Sequence, residues 1–318
     1  MILQILLWSF NAVAPVLFAI VLGWLIAFRG HIAEDDRTFL NRLCFKYLLP
    51  AQLLANTLSI DFTAGYNVRL LVYCAGGILA TAAAAWVLFT VLIADRPKRA
   101  IFILSAFRTN NILYGMPLAA NLFGAEGVAV AVMVYPITIV SFNALTVATL
   151  VYFSQSGAKS GAVLKKTLLD VAANPLIVAC LLGTFCAAAG ITIPRFLKGG
   201  LDSVGAAATP VALLLLGSQI DAKKLSGNLR PALAACVLRL VLVPAALLAV
   251  VIPAGFRGPE LSALMVAFAA PSAVTNMVMA RNYNVAPDFA AQTVYLSTIF
   301  SLGTIFLFIV FLRFFGLM

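Results

Sequence analysis

Pro50-Ala-Gln-Leu-Leu-Ala-Asn-Thr-Leu-Ser-Ile-Asp61 is echoed 160 residues later by Pro210-Val-Ala-Leu-Leu-Leu-Leu-Gly-Ser-Gln-Ile-Asp221. The two stretches share their terminal Pro and Asp, the inner Leu-Leu pair and the Ile before the Asp. Two further pairs of helix-breaking residues lie at the same offset, Pro15 with Pro175 and Gly23 with Gly183. Only 14 of the 318 residues are proline, so chance matches of this kind are rare. Such a repeat within apolar sequence predicts a duplicated membrane transporter.

The composition places the chain in a lipid bilayer. It is 63% hydrophobic and 10% charged, whereas soluble globular proteins have about 25% charged residues. The first apolar segment lacks a preceding basic region and a small-residue cleavage site near Arg29, which predicts a permanent helix rather than a signal peptide. The net charge of +10 comes from residues between apolar segments. We therefore expect it to orient the chain in the membrane, with no nucleic-acid partner.

Ten transmembrane helices are predicted at about 20 apolar residues per span. Their connections are short, so the expected fold is an all-α polytopic membrane protein without a soluble domain. The predicted spans are 5–28, 36–58, 67–94, 98–123, 126–153, 167–190, 202–220, 229–253, 259–283 and 288–315.

The basic residues predict an inverted repeat. The odd-numbered connections carry 14 Lys and Arg and the even-numbered ones carry 4, so both termini are expected on the outer, periplasmic side of the inner membrane. Five helices per half is an odd number, so the second half enters the membrane upside down, with Asp61 on the outer side and Asp221 on the inner side. The predicted units are a first repeat over 1–154, a cytoplasmic connection over 155–166 and a second repeat over 167–318.

The fourth helix of each half is interrupted by polar and helix-breaking residues. Helix 4 contains Arg108-Thr-Asn-Asn-Ile-Leu-Tyr-Gly-Met-Pro117, and helix 9 contains Ala270-Pro-Ser-Ala-Val-Thr-Asn-Met277. Gly115, Pro117 and Pro271 are expected to unwind both helices near the bilayer centre. The freed N–H groups suit an anion, and the freed carbonyls with the amides of Asn110, Asn111 and Asn276 suit a cation or a polar substrate. The alternative is that Pro and Gly merely kink these helices and Asn links them by hydrogen bonds.

Other polar residues inside apolar runs are further candidates. Arg108 and Arg239 are functional candidates because an intramembrane charge is expensive, although snorkelling to the headgroups is the alternative. Gln52 and Asn56 lie on one helix face between Pro50 and Asp61. No carboxylate is expected at mid-span, and His31 and the five cysteines form no metal-ligand pattern. We therefore predict no metal site, no cofactor and no enzyme active site.

The broken helices resemble those of the auxin efflux carrier family. The most specific matches are Asn110-Asn-Ile-Leu-Tyr-Gly-Met-Pro117, Pro271-Ser-Ala-Val-Thr-Asn276 and Ala280-Arg-Asn-Tyr-Asn-Val-Ala-Pro-Asp288. The resemblance implies a scaffold domain and a transport domain with two crossing broken helices, as in bile acid and sodium/proton carriers. It also implies that Asn110 contacts substrate, that helix 9 crosses at Pro271, and that Thr109 stands where plant carriers have the first crossing proline. The motifs add Tyr114, Ser272 and Thr275 to the predicted substrate-binding residues.

The predicted function is secondary transport of a small organic anion by alternating access. Malonate, malate and an auxin-like aromatic acid remain possible substrates, and facilitated efflux and cation-coupled uptake both remain open. The alternatives are a sodium-coupled symporter of a larger amphipathic acid and an anion channel. The short connection near 155–166 resembles the compact bacterial members of the family, and the resemblance makes a homodimer plausible. Whether Na⁺ or H⁺ is coupled is not determined by the sequence.

Overall fold

The computed structural model describes residues 2–59, 67–153, 173–220 and 229–318, and over these residues the chain is helical. Within those ranges the only β-type pairing is one isolated antiparallel bridge between Thr109 and Ser272. Asp61, Asp221 and the connection 155–166 lie outside the described residues. The all-α prediction is confirmed.

The helices are numbered in chain order. π-helical turns over Cys44–Leu48 and Leu238–Leu242 join α2 to α3 and α10 to α11. The long helix α6 bends at Gly124, whose φ is 58°. The bounds are α1 Ile2–Phe28, α2 Glu34–Leu43, α3 Leu49–Leu58, α4 Val68–Leu92, α5 Arg96–Phe107, α6 Asn111–Phe153, α7 Pro175–Ala188, α8 Arg195–Ala206, α9 Ala208–Ser218, α10 Arg230–Val237, α11 Val243–Val251, α12 Gly258–Ala269, α13 Val274–Asn282 and α14 Pro287–Phe314.

The apolar helices identify a polytopic integral membrane protein. Large apolar side chains such as Phe18, Val91 and Leu307 point outward and are mostly exposed, which is favourable in lipid and unfavourable in water. Two shorter apolar helices, α7 and α12, lie among the long ones. In the described part of the chain, six helical segments are long and apolar enough to span a bilayer: Ile2–Phe28, Val68–Leu92, Asn111–Phe153, Arg195–Ser218, Arg230–Val251 and Pro287–Phe314.

Each of the two π turns is explained by a proline that follows it in the sequence. Pro50 and Pro244 each lie six residues after the start of a π turn. A proline has no N–H, and in a regular α-helix its ring clashes with the carbonyl four residues earlier. The widened turn avoids this clash, because the residue before the proline bonds five residues back, Leu49 N–H to the Cys44 carbonyl and Val243 N–H to the Leu238 carbonyl. A π turn also rotates the residues that follow it about the helix axis, so that their side chains point from a different face of the helix.

Glycine allows two helix pairs to pack closely. A Cβ on Gly23 of α1 would collide with the Leu214 carbonyl of α9, and a Cβ on Gly217 of α9 would collide with the Ile20 carbonyl of α1. In the second pair, a Cβ on Gly183 of α7 would come 2.7 Å from the Thr57 side chain of α3. The pairs α1–α9 and α3–α7 are thus closely packed. These four helices are called the platform, and they lie beside the broken helices.

Candidate functional site

The two broken helices meet at an antiparallel bridge in the protein interior. Helix α5 ends at Phe107 and α12 ends at Ala269, while α6 begins at Asn111 and α13 begins at Val274. The residues between them are extended, and their backbones pair. The N–H of Asn110 donates to the Pro271 carbonyl at 2.8 Å, and the N–H of Ala273 donates to the Arg108 carbonyl at 3.3 Å. Two helix C-termini and two helix N-termini therefore converge on one point.

The second break lies where the proline predicts it. Pro271 disfavours the α conformation of the residue before it, and Ala270 accordingly has a ψ of 148°. The break leaves Ser272 opposite Thr109. Both of these residues were expected at or near the crossing.

The first break lies several residues before Gly115 and Pro117. The prediction that these two residues unwind helix 4 is therefore wrong. The chain leaves the helix at Arg108, whose ψ is 110°, and re-enters it at Asn111. Gly115 and Pro117 lie inside α6 rather than at the break. The physical reason is that the polar run from Arg108 to Asn111 competes with helical hydrogen bonding and finds a backbone partner on the other broken helix.

Arg239 lies behind the crossing and is fully buried. Its Nε donates to the Ala270 carbonyl at 3.0 Å, and its two terminal nitrogens donate to the carbonyls of Ala106 at 2.6 Å and Phe268 at 2.7 Å. All three guanidinium nitrogens are thus engaged by backbone carbonyls, and Arg239 does not line the cavity described next. The structure does not place Arg239 where it was predicted, among residues that contact substrate.

A cavity of about 140 Å³ lies on the N-terminal side of the crossing. It brings together the predicted residues Arg108, Thr109, Asn110, Asn111 and Thr275. Its remaining walls come from α6, from the π turn after α2 and from the start of α7. They include the apolar side chains Phe45, Ile139 and Phe142 and the polar side chains Thr138, Asn143 and Asn174.

Arg108 is a buried cation without a carboxylate partner in the described part of the chain. Its guanidinium donates to Oδ1 of Asn143 at 3.1 Å and lies 3.0 Å from the sulfur of Met279. Between the described residues the one ion pair joins Lys98 and Asp95 at 3.2 Å. A buried charge held only by neutral groups is unfavourable, so an anion in the cavity would stabilise it.

Two asparagines at the start of α6 face the same cavity. The side-chain Nδ2 of Asn110 is buried and has no acceptor. Asn111 makes only a long contact, 3.5 Å from its Nδ2 to Oγ1 of Thr138. Both amides therefore have hydrogen-bonding capacity to spare at the N-terminus of a helix.

Gly115 has a different role from the predicted one. A Cβ at this position would lie 2.7 Å from Oδ1 of Asn111 and 3.1 Å from the hydroxyl of Tyr135. The missing side chain thus leaves the space that the Asn111 amide occupies.

Three predicted residues of the two motifs lie outside the cavity. The Asn276 amide donates to Oγ of Ser272 at 2.9 Å, and the Ser272 N–H donates to Oγ of Ser297 on α14 at 3.1 Å. The hydroxyl of Tyr114 also faces α14, where it accepts a hydrogen bond from Ser301 at 3.3 Å. These residues fasten the broken helices to α14. Oδ1 of Asn276 is buried and has no donor.

The two candidates on α3 also lie outside the cavity. Gln52 bonds to the hydroxyl of Thr209 at 2.9 Å, within the platform. The Asn56 amide lies 3.3 Å from the sulfur of Met116 on α6. Gln52 therefore connects two helices of the platform, α3 and α9, whereas Asn56 connects the platform with a broken helix.

Sequence reasoning gave Asn174 and Phe45 no role at the site. Asn174 caps α7, accepting the Leu176 N–H at 2.9 Å. Its position directly before Pro175 is typical of a helix start and could have identified it. Phe45 reaches the cavity from the π turn, and nothing local in the sequence predicts this.

The chain is similar over nearly its whole length to known transporter sequences. A family model described as membrane transport protein matches residues 8–309. An uncharacterized transporter of Methanothermobacter thermautotrophicus is 26% identical over 303 residues, which cover 94% of this chain and 97% of that protein. The uncharacterized transporter MJ1031 of Methanocaldococcus jannaschii is 26% identical over 206 residues, covering 63% of this chain and 64% of that protein.

Proposed function

The chain belongs to the membrane transport protein family, and we propose that it carries a small organic anion across the membrane by alternating access, with the cavity at the crossing as the substrate site. The observation that carries this proposal is Arg108, a buried cation that lines the cavity with only neutral partners among the described residues. A bound carboxylate would supply the missing negative charge.

The helix ends around the cavity favour the same sign of ligand. The cavity is lined by the first residues of α6 and by Ala273, Val274 and Thr275 at the start of α13. The first N–H groups of a helix have no partner within the helix and carry partial positive charge. Ala273, at the N-cap of α13, has no side-chain acceptor to satisfy them. Together with Nδ2 of Asn110, these donors form an anion-binding surface.

The volume of the cavity favours a short carboxylic acid. About 140 Å³ is close to the roughly 150 Å³ of an engineered cavity that accepts benzene. Lactate and malonate are of that size, whereas an auxin-like aromatic acid or a larger amphipathic acid is much bulkier. The single arginine of the cavity favours binding through one carboxylate group.

We propose that transport uses two inverted repeats of five spans each, over 1–154 and 167–318. One pair of contacts supports the repeat. The contact of Gly23 with Leu214 has a counterpart 160 residues away in the contact of Leu54 with Gly183. The two halves are thus packed against each other through equivalent positions, as expected for inverted repeats.

In this proposal α1, α3, α7 and α9 form the scaffold, and the broken helices move against it as the transport domain. The glycine contacts pack these helices closely against one another, as a scaffold requires. Side-chain contacts such as Asn56 with the Met116 sulfur and Asn121 with the Ala12 carbonyl connect the two parts, and they have to break or rearrange as the domain moves. The distribution of Lys and Arg supports both termini on the outer side.

Exchange by purified protein in liposomes tests this function. Vesicles loaded with malonate are expected to take up labelled malonate with saturable kinetics. Unlabelled lactate and malate should compete, and indole-3-acetate should compete poorly because it exceeds the cavity. Stronger competition by indole-3-acetate than by malonate would refute the size argument. Conductance without saturable exchange would indicate a channel instead.

Gly115→Ala is expected to weaken malonate exchange by about tenfold or more. The added methyl group must displace the Asn111 amide, which lies 2.7 Å from its position, and loss of one hydrogen bond to a charged ligand costs about 1.5–3 kcal/mol. Gly303→Ala on α14 is the matched control, because a Cβ there meets no atom within 4 Å. Equal exchange by the two variants would show that Asn111 takes no part in binding.

A further inference from the structure

Arg239 joins the two broken helices at their C-terminal ends. Its carbonyl partners are Ala106 in α5 and Phe268 and Ala270 at the end of α12. One side chain thus holds two segments that lie far apart in the sequence. The π turn over Leu238–Leu242 places it in the interior, where it is fully buried.

Two of the three carbonyls are groups that the helix breaks leave without a partner. In an unbroken helix the Ala106 carbonyl would accept the Asn110 N–H, but that N–H donates to the Pro271 carbonyl. The Phe268 carbonyl would accept the Ser272 N–H, but that N–H donates to Oγ of Ser297. Buried backbone carbonyls require a donor, and Arg239 supplies it to both.

A cation at this position has an electrostatic function as well. Each half-helix C-terminus carries partial negative charge, equivalent to about half an elementary charge. In transporters with discontinuous helices, such C-terminal ends and unwound carbonyls hold the coupling Na⁺ or H⁺. Here the position between the two C-termini is filled by a guanidinium group that belongs to the chain.

We infer that Arg239 is a built-in counter-cation that replaces a coupling cation at the crossing. It balances the two C-terminal ends and keeps the broken helices together as one body. Because the charge is covalently attached, the assembly of the crossing needs no Na⁺. The consequence for transport, that anion exchange is independent of Na⁺, rests on the proposed function.

The two intramembrane arginines therefore have different roles. Arg108 lines the cavity and is held by the Asn143 amide and the Met279 sulfur, partners that a carboxylate can replace. Arg239 donates from all three nitrogens to backbone carbonyls that cannot leave without unfolding the crossing. A substrate anion has no access to its donors.

Thermal melting of purified Arg239→Ala in detergent tests the inference without any substrate. Wild-type protein should melt at the same temperature in NaCl, KCl and choline chloride of equal ionic strength. The variant should melt several degrees lower in choline chloride, and Na⁺ or a few millimolar ethylguanidinium should recover part of the loss. The inference would be overturned if neither Na⁺ nor ethylguanidinium changed the melting temperature of the variant. It would also be overturned if the melting temperature of the wild-type protein depended on Na⁺.

Arg257→Ala is the matched control. Arg257 also donates to backbone carbonyls, those of Ile252 and Phe256 at 2.9 and 2.7 Å, but it lies at the surface. Its loss should create no dependence on Na⁺ or ethylguanidinium, and such a dependence would show a general salt effect and refute the inference. If Arg239→Ala does not fold, Arg239→Lys should show the same cation response in weaker form.

The same proteins in liposomes separate the two proposals. Na⁺-independent malonate exchange by wild-type protein, with Na⁺-dependent exchange by Arg239→Ala, would support both. Cation-dependent melting of the variant without exchange of any acid by wild-type protein would support the role of Arg239 and refute the proposed function. Na⁺-dependent exchange by wild-type protein would refute the replacement of a coupling cation.

Discussion

Arg108→Gln is expected to weaken malonate binding by about 10- to 100-fold while leaving the melting temperature unchanged or raising it. The loss of affinity follows from removing a charge-assisted hydrogen bond, which is worth about 1.5–3 kcal/mol. The unchanged or higher stability follows because the guanidinium is buried and its partners, Asn143 and Met279, are neutral. Equilibrium binding of labelled malonate and thermal melting measure the two effects separately.

Arg239→Gln is the matched comparison, and we expect the opposite result from it, a loss of stability with a smaller loss of affinity. A glutamine amide cannot donate to three carbonyls in two helices, so stability is expected to fall. Affinity measured on the folded fraction should change less than in Arg108→Gln, because Arg239 does not line the cavity. If Arg239→Gln weakened binding more than Arg108→Gln, the assignment of the anion-binding arginine would be wrong.

Asn110→Ala is expected to abolish detectable malonate exchange in folded, membrane-inserted protein. Asn110 lines the cavity, and its Nδ2 has no acceptor within the described residues. The substitution therefore removes a donor that is available to a ligand and breaks no side-chain hydrogen bond of the folded protein. The backbone bond from Asn110 to Pro271 at 2.8 Å does not depend on the side chain and should persist. Size-exclusion profiles and melting curves should therefore match those of the wild type.

Asn121→Ala is the matched control for this variant. Asn121 also lies on α6, but its Nδ2 donates to the Ala12 carbonyl of α1 at 2.8 Å. Its removal should reduce stability and leave malonate binding by the folded protein intact, because Asn121 does not line the cavity. Exchange by Asn110→Ala at the wild-type rate would remove Asn110 from the substrate site and with it much of the proposed function.

Much of the architecture was predictable because its causes are local. Long apolar runs must become helices in lipid, since only helical hydrogen bonding satisfies every backbone group there. Pro271 breaks its helix through a clash with its immediate neighbour, and this break lies where the sequence predicts it. The family resemblance rested on the same short motifs, and the family model confirms it.

The family resemblance implied a crossing at Thr109, and Thr109 lies in the bridge to Ser272, but the expectation that Gly115 and Pro117 unwind the helix was wrong. Gly115 and Pro117 are helix breakers by type, but α6 continues through both. The chain leaves the helix at Arg108 instead. The Arg108 carbonyl accepts from the Ala273 N–H, and the Asn110 N–H donates to the Pro271 carbonyl, in each case more than 160 residues away. A pairing between distant segments leaves no local pattern.

The sequence by itself determined that this protein is an all-helical membrane transporter with polar breaks in two helices, because hydropathy and proline chemistry act over a few residues. Only the tertiary structure decided which polar residues share a cavity. Arg108 and Arg239 are both single arginines in apolar runs, and their different roles arise from the groups that the fold brings within hydrogen-bonding distance of each guanidinium. The direction in which a side chain leaves its helix depends on packing and on turns such as the one at Leu238–Leu242, and these are properties of the assembled helices.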